Sequence, residues 1–320
     1  MARYTIGISE LGIDQSGIPS DLKQKCDLRF GPEDRPMTQD ELCDFVADLE
    51  GLLFTSRDRF DSSVLKYATS LKVAIKSGAK PTNIDYEYAR QQGIAVGWTP
   101  GANSRSVAEY TVTVTFVSLR KILAACASVR DGEWRSPAHI GDELLGKVVG
   151  VVGFGSVGAE VARLFSALGA TVVAFDPYPA DSVFVAAGVE RVTLEELMRR
   201  SDVVTLHSTL TDETRTIVNR NTLALMKRSA IIVNTARGEL ISDEALLEAL
   251  ESKSIAGAAL DVFSEEPLLL EHPFRNFDNV LLSPHVAART IDSLTRERVW
   301  ALTDIVNYLE GNRLSRVSIE

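Results

Sequence analysis

GKVVGVVGFGSVGAEVARLFSALGATVVAFDP, residues 146–177, is the stretch whose reading decides the fold. KVVGVVGF is an apolar run of the kind that forms a strand buried on both faces. SVGAEVARLFSALG follows with helical spacing, and ATVVAFDP reads as the next strand. Between the first strand and the helix, GVVGFGSVG sets Gly153, Gly155 and Gly158 in a GxGxxG arrangement. Gly153 permits the tight turn out of the strand, Gly155 lets the backbone approach a pyrophosphate, and Gly158 lets the helix pack closely on the sheet. Ser156 and Val157 open the helix, where unbonded N–H groups and the positive end of the dipole suit phosphate. Glycine-rich turns are common, and such a turn can serve shape alone. The strand before and the helix after are what point to a dinucleotide site. Asp176 ends the next strand about 20 residues on, where a carboxylate accepts hydrogen bonds from ribose hydroxyls. Its charge repels an additional 2′-phosphate, and no arginine follows in DPYPAD to receive one. NAD(H), rather than its phosphorylated form, is the expected cofactor.

Downstream, the same alternation continues. VTLEELMRRS, NRNTLALMKR and SDEALLEALESKS read as helices. DVVTLHSTL, AIIVNTAR, IAGAALDVF and VLLSPH read as strands. Ser242 caps the third helix, and Ala245, Leu246, Leu247 and Leu250 supply its apolar face. Apolar strands separated by helices imply an α/β fold with a parallel sheet covered on both sides. The amphipathic segment from Ile291 to Glu310, ended by Gly311, comes too late for this unit and is expected to return to the first domain. Upstream, GLLFT and LKVAIKSG read as strands, IDYEYARQQG as a helix stopped by glycine, and IAVGWTPG as another strand. That is a second α/β region without a nucleotide signature. The segment from Ser106 to Val129 is expected to form one long helix, held by packing because its many β-branched residues weaken helix propensity. GEWRSPAHIGDELLG is a loop.

The bulk of the chain narrows the possible functions. With 320 residues, 45% of them hydrophobic, there is material for two domains. The net charge of −10 argues against nucleic acid as a partner. No apolar run reaches the roughly 18–20 residues that span a bilayer, and the start has no secretory pattern. Cys26, Cys43 and Cys126 fit neither a disulfide framework nor a CxxC site, so a reducing cytoplasm is the expected setting. The histidines, at 139, 207, 272 and 285, lack metal-ligand spacing, and no metal is expected.

Three polar residues stand directly after strands of the second region: Arg237 in NTARGEL, Glu266 in DVFSEEP and His285 in SPHVA. Ligands of open α/β sheets bind beyond the carboxyl ends of strands. A cation, a carboxylate and an imidazole there supply what reduction of a 2-keto acid needs: a hold on the carboxylate, a proton for the carbonyl oxygen, and a partner that orients the proton donor. Each also has a plainer reading, as a surface ion-pair partner, a solvated acid or a loop histidine. His207, inside DVVTLHSTL, reads as structural, and nothing is assigned to His139 or His272.

With these residues in place, the chain resembles the D-isomer-specific 2-hydroxyacid dehydrogenase family, of the phosphoglycerate dehydrogenase and hydroxypyruvate reductase type without a C-terminal regulatory domain. The resemblance lies in GKVVGVVGFGSVG, SDVVTLHSTLTDET, MKRSAIIVNTARGELISDEAL, AGAALDVFSEEPL and SPHVAART, with LKVAIKSGAKPTNIDYEYARQQGIAV and TPGANSRSVAEY toward the N-terminus. It implies two Rossmann-like or flavodoxin-like lobes with parallel sheets, the cofactor lobe (105–291) inserted into a substrate lobe made of residues 1–104 and 292–320. It implies a homodimer joined through the cofactor lobes and a small anionic 2-hydroxy or 2-keto acid as substrate. Arg237, Glu266 and His285 take the catalytic positions. Thr235, Ala236, Asp261 and His285 fall beside the nicotinamide, and Thr209 toward the adenine side. The backbone of Ser77, Gly78 and Ala79 matches the loop that grips the substrate carboxylate, and Asn103 matches the mouth of the cleft.

Four positions depart from the family pattern: Lys80 for a frequent glycine, Trp98 for asparagine, Thr209 for proline and Ala287 for glycine. Lys80, with Arg57, Arg59, Lys76 and Arg105, leaves open a second anionic group on the substrate, such as a phosphate; a sugar-derived acid fits equally. A dehydrogenase of formate or phosphite type, or an NAD(H)-sensing corepressor, are the alternatives, and Glu266 argues against the formate branch, where glutamine is usual.

Overall fold

The computed structural model describes residues 3–9, 17–32, 34–312 and 318–319. The chain divides into two compact units, Met1–Asn103 with Thr290–Glu320, and Ser104–Arg289. The first opens with β1 (Tyr4–Ser9), α1 (Ser20–Lys25) and β2 (Cys26–Phe30). Next comes α2 (Gln39–Val46), whose start is fixed by a reciprocal pair: Thr38 accepts from the Glu41 N–H, and Glu41 accepts from the Thr38 N–H. β3 (Gly51–Phe54), α3 (Ser62–Leu65), β4 (Val73–Lys76), α4 (Tyr86–Gln91) and β5 (Ala95–Trp98) follow. β3 and β4 are buried along their whole length, as unbroken apolar runs require.

The second unit begins with a departure from expectation. Instead of one helix from Ser106 to Val129 there are two, α5 (Ser104–Leu119) and α6 (Ile122–Arg130), bent by 60° at the break. Lys121 stands in the left-handed region at φ 51°. The cause is the loop that returns at Gly141. A Cβ there would lie 2.4 Å from the Leu119 carbonyl oxygen, and the Asp142 N–H donates to that oxygen at 2.9 Å. The acceptor needed to carry the helix onward is already taken. Among the described residues no single helix is long and apolar enough to cross a membrane. The bent α5–α6 pair meets that test only when joined, and α5 buries Val107, Ala108, Thr111 and Val114 within protein.

From there the chain runs β6 (Val148–Val152), α7 (Ser156–Ala167), β7 (Thr171–Phe175), α8 (Asp181–Ala187), β8 (Glu190–Arg191), α9 (Leu194–Arg200) and β9 (Val203–Leu206). It continues through α10 (Arg220–Leu223), β10 (Ile231–Asn234), α11 (Asp243–Glu251), β11 (Gly257–Leu260) and β12 (Val280–Leu282). Seven strands form one parallel sheet in the order β12-β11-β10-β9-β6-β7-β8. The order reverses between β6 and β9, which opens a crevice at their carboxyl ends. α11 begins at its Ser242 cap and buries Ala245, Leu246, Ala249 and Leu250.

α12 (Ile291–Leu309) and β13 (Ser318–Ile319) complete the first unit. Its sheet has the order β13-β5-β4-β3-β1-β2, parallel except for β13. The helix returns as its late position demands: Ala301, Leu302, Ile305 and Val306 join Ile6, Leu53, Val73 and Ile75 in one core.

Candidate active site

The glycine turn after β6 is shaped as its spacing requires. Gly153 has φ +92°, and a Cβ there would meet the Ser208 nitrogen at 2.5 Å. At Gly158 a Cβ would lie 2.0 Å from the Gly153 carbonyl oxygen, so the helix rests on the turn. Gly155, which caps α7, has nothing within 4 Å of the same point. Two glycines are therefore needed for internal packing and the third keeps one face of the turn open. Ser156 is exposed and Val157 half-buried at the first turn of α7. At the end of β7, Asp176 is oriented by two backbone donors, the Phe154 N–H at 2.8 Å and the Tyr178 N–H at 3.0 Å. An open turn, a helix N-terminus and an oriented carboxylate fit a dinucleotide. Arg191, passed over in the sequence, lies against this corner. It donates to the backbone oxygens of Asp176 and Pro177 and to the Asp181 carboxylate. Thr209 is exposed, and its carbonyl accepts from Thr214 Oγ1.

Three loops at the carboxyl ends of β10, β11 and β12 carry the candidate catalytic residues. His285 Nδ1 lies 2.8 Å from Glu266 Oε2, while Glu266 Oε1 accepts from the Phe263 N–H at 3.1 Å. The carboxylate is thus held at both oxygens. His285 has φ 53°, a conformation sustained by its N–H donating to the Asp261 carbonyl at 2.8 Å. The Asp261 side chain, 1% exposed, accepts from Ser283 Oγ, the Val286 N–H and the Ala287 N–H. Its carboxylate shapes the histidine loop. Ala287, where the family often has glycine, is buried at this latch. Desolvation beside it raises the Tyr110 hydroxyl above the usual tyrosine value.

Arg237 is exposed. Its loop is organised by Asn234, whose amide donates to the Arg237 carbonyl at 2.8 Å and accepts from the Ala236 N–H at 3.1 Å. Asn234 was missed in the sequence, although an asparagine ending a strand is a turn signal. Gly238 sits directly on the Phe263 backbone, where a Cβ would come within 1.9 Å, and so joins the arginine loop to the glutamate loop. Thr235 is buried and bonded to Thr111; Ala236 is half-buried. His207 is structural: Nε2 bonds Thr205 Oγ1 at 2.8 Å, Nδ1 is buried without a partner, and desolvation lowers its pKa to about 3.

In the first unit, the loop after β4 is held from within. The Ser77 N–H donates to the Phe54 carbonyl, and the Gly78 N–H to Thr99 Oγ1 at 2.7 Å. Lys76 Nζ reaches the carbonyls of Ser77 and Ala79. Of the three backbone donors expected to grip a carboxylate, those of Ser77 and Gly78 meet acceptors within the fold, and the Ala79 N–H has none among the described residues. Asn103 is half-buried near Gly78. Lys80 lies over the rings of Tyr86 and Trp98, 5.7 Å from each centroid. The other candidate cations are dispersed: Arg105 pairs with Glu109 and Glu160, Arg59 with Asp61, and Arg57 is half-buried beside Pro32 and Asp58.

Comparison with known proteins places the chain in a family. The NAD binding domain of the D-isomer specific 2-hydroxyacid dehydrogenases matches residues 112–287. A glyoxylate reductase of Thermofilum pendens is 36% identical over 97% of this chain and 93% of its own length. A D-3-phosphoglycerate dehydrogenase of Methanocaldococcus jannaschii is 42% identical over 88% of this chain, which spans only 54% of that protein. The crystal structure of the TT0316 protein from Thermus thermophilus superposes with a TM-score of 0.85 at 32% identity, covering 98% of this chain and 99% of that one. The chain therefore belongs to the D-isomer-specific 2-hydroxyacid dehydrogenase family and is an NAD-dependent enzyme of it.

Proposed function

We propose that the chain interconverts a small D-2-hydroxy acid and its 2-keto acid, with Ser104–Arg289 as cofactor domain and Met1–Asn103 with Thr290–Glu320 as substrate domain. The observation that carries this reading is the 2.8 Å contact between His285 Nδ1 and a Glu266 held at both oxygens. When Nδ1–H is given to Glu266, Nε2 is the nitrogen left to exchange a proton with substrate. Glu266 orients the imidazole; protonated His285 donates to the carbonyl oxygen during reduction, and neutral His285 takes the hydroxyl proton during oxidation. Arg237 holds the substrate carboxylate and draws charge toward the carbonyl oxygen. Gly155, the α7 N-terminus and Asp176 would hold NAD(H), which supplies or accepts the hydride when bound.

The second part of the proposal is a homodimer through the cofactor domain. α6 buries none of its residues, and Ile122, Leu123 and Val129 on it, with Trp134, Ile140 and Leu145 beyond, are exposed apolar groups. Exposed apolar side chains concentrated in one segment support an interface there.

Purified protein with NADH and a panel of 2-keto acids, beginning with glyoxylate and hydroxypyruvate, tests the reaction by loss of reduced-nicotinamide absorbance. His285→Ala is expected to lose about 10²–10⁴-fold in kcat while binding NADH normally. Arg237→Ala is expected to raise KM as well as lower kcat. Near-normal turnover by His285→Ala sinks the assignment.

A further inference from the structure

Three side chains link the glycine turn to the loop after β7. The ring of Phe154, between Gly153 and Gly155, lies against that of Phe184 on α8, with centroids 4.6 Å apart and an interplanar angle of 17°. The Arg191 guanidinium lies 5.2 Å from the Phe184 centroid. Phe154 is 3% exposed and Phe184 1%, so both rings are fixed by packing. All three belong to one unit of the structure.

Arg191 sits on β8, a strand of two residues at the edge of the sheet, where pairing sets it opposite Ala174, two residues before Asp176. Its guanidinium meets three acceptors. Nη2 donates to the backbone oxygens of Asp176 at 2.9 Å and Pro177 at 3.1 Å, and Nη1 donates to Asp181 at 2.6 Å. Asp176 is thus held at two points: its carboxylate by the backbone of the turn, through the Phe154 N–H, and its carbonyl by Arg191. A rigid planar cation that grips two successive carbonyls fixes the direction in which the Asp176 side chain leaves the backbone. That direction matters, because an O–H···O bond forms only over about 2.5–3.0 Å and weakens steeply when bent.

We infer that Arg191 is a positioning residue for the cofactor: through the backbone of Asp176 and Pro177 it aims the Asp176 carboxylate at the adenosine ribose, and it sets affinity for NAD(H) in this way. This rests on the reading that Asp176 accepts from the ribose hydroxyls.

The test titrates wild type, Arg191→Ala, Arg191→Lys and Asp176→Ala with NADH and with its analogue lacking the adenosine 2′-hydroxyl. Wild type is expected to prefer NADH by about tenfold or more, the worth of one hydrogen bond to a charged group. Asp176→Ala is expected to bind the two alike. Arg191→Ala, with Asp176 intact, is expected to weaken NADH more than the analogue and so to lose most of the preference. Arg191→Lys is expected to fall between, since a single ammonium reaches only part of the three acceptors. A merely structural Arg191 weakens both nucleotides by the same factor and leaves their ratio unchanged. An unchanged ratio in Arg191→Ala, beside a lost one in Asp176→Ala, overturns the inference and leaves the ribose reading intact. A wild type without the preference, or an Asp176→Ala that keeps it, overturns the ribose reading and the inference with it. Should Arg191→Ala lose its thermal transition, Arg191→Lys decides by the same ratio.

Discussion

His285 and His207 have the same side chain and opposite surroundings. His285 is half exposed at a loop, with a carboxylate on one nitrogen. His207 has a hydroxyl on one nitrogen and packed protein around the other. Desolvation lowers its pKa from 6.5 to about 3, so the folded chain keeps it neutral where the unfolded chain protonates it. The folded value lies below the unfolded one and the charged form is the protonated one. The unfolded state therefore binds the extra proton between these limits, and stability falls as pH drops from about 6.5 toward 3. Above that window the group has no effect. His207→Gln, which retains a polar partner for Thr205, should lose less stability on acidification. Denaturant unfolding at pH 7 and pH 4.5 should show a difference of at least about 1.4 kcal/mol between the two losses, one pKa unit's worth. Equal losses would place the acid sensitivity elsewhere.

At the scale of elements, parallel pairing brings together residues that the sequence separates. β8 pairs with β7 so that Arg191 stands opposite Ala174, and the guanidinium reaches the backbone of Asp176. The absence of arginine from DPYPAD was therefore an incomplete argument, because the nearest arginine arrives from the neighbouring strand. On the proposed reading the Asp176 charge opposes a 2′-phosphate, while Arg191 beside it would attract one. Asp176→Ser removes the repelling charge and leaves Arg191 to meet a 2′-phosphate. The ratio of kcat/KM for NADH over NADPH is expected to fall by about tenfold or more, close to 1.4 kcal/mol. An unchanged ratio would mean that Arg191 stays committed to Asp181. The break between α5 and α6 has a similar origin, since the loop that terminates α5 lies more than twenty residues downstream.

For the whole molecule, the chain leaves its first sheet, builds a complete second one, and returns through α12 and β13. The second sheet is parallel throughout, so its candidate catalytic loops emerge at one edge, at the carboxyl ends of β10, β11 and β12. The exposed apolar surface of α6 and the loop after it belongs to the same unit. Leu123→Glu combined with Trp134→Glu should convert a dimer to a monomer in sedimentation while NADH binding persists. A wild type that sediments as a monomer would remove the dimer from the proposal.

The sequence by itself determined the dinucleotide turn, the alternating strands and the three residues after β10, β11 and β12. These are local facts: glycine at a positive φ, apolar runs of strand length, and polar side chains just past them. Only the tertiary structure decided that Asp261 latches the histidine loop, that Ser77 and Gly78 give their N–H groups to the fold, and that Glu297 lies against Ser77, 220 residues away. The same holds for the helix that ends at Leu119 and for Arg191 beside Asp176. Each depends on which backbone acceptor or donor a distant segment occupies, and hydrogen-bond partners chosen by chain return leave no periodic trace in the residues themselves.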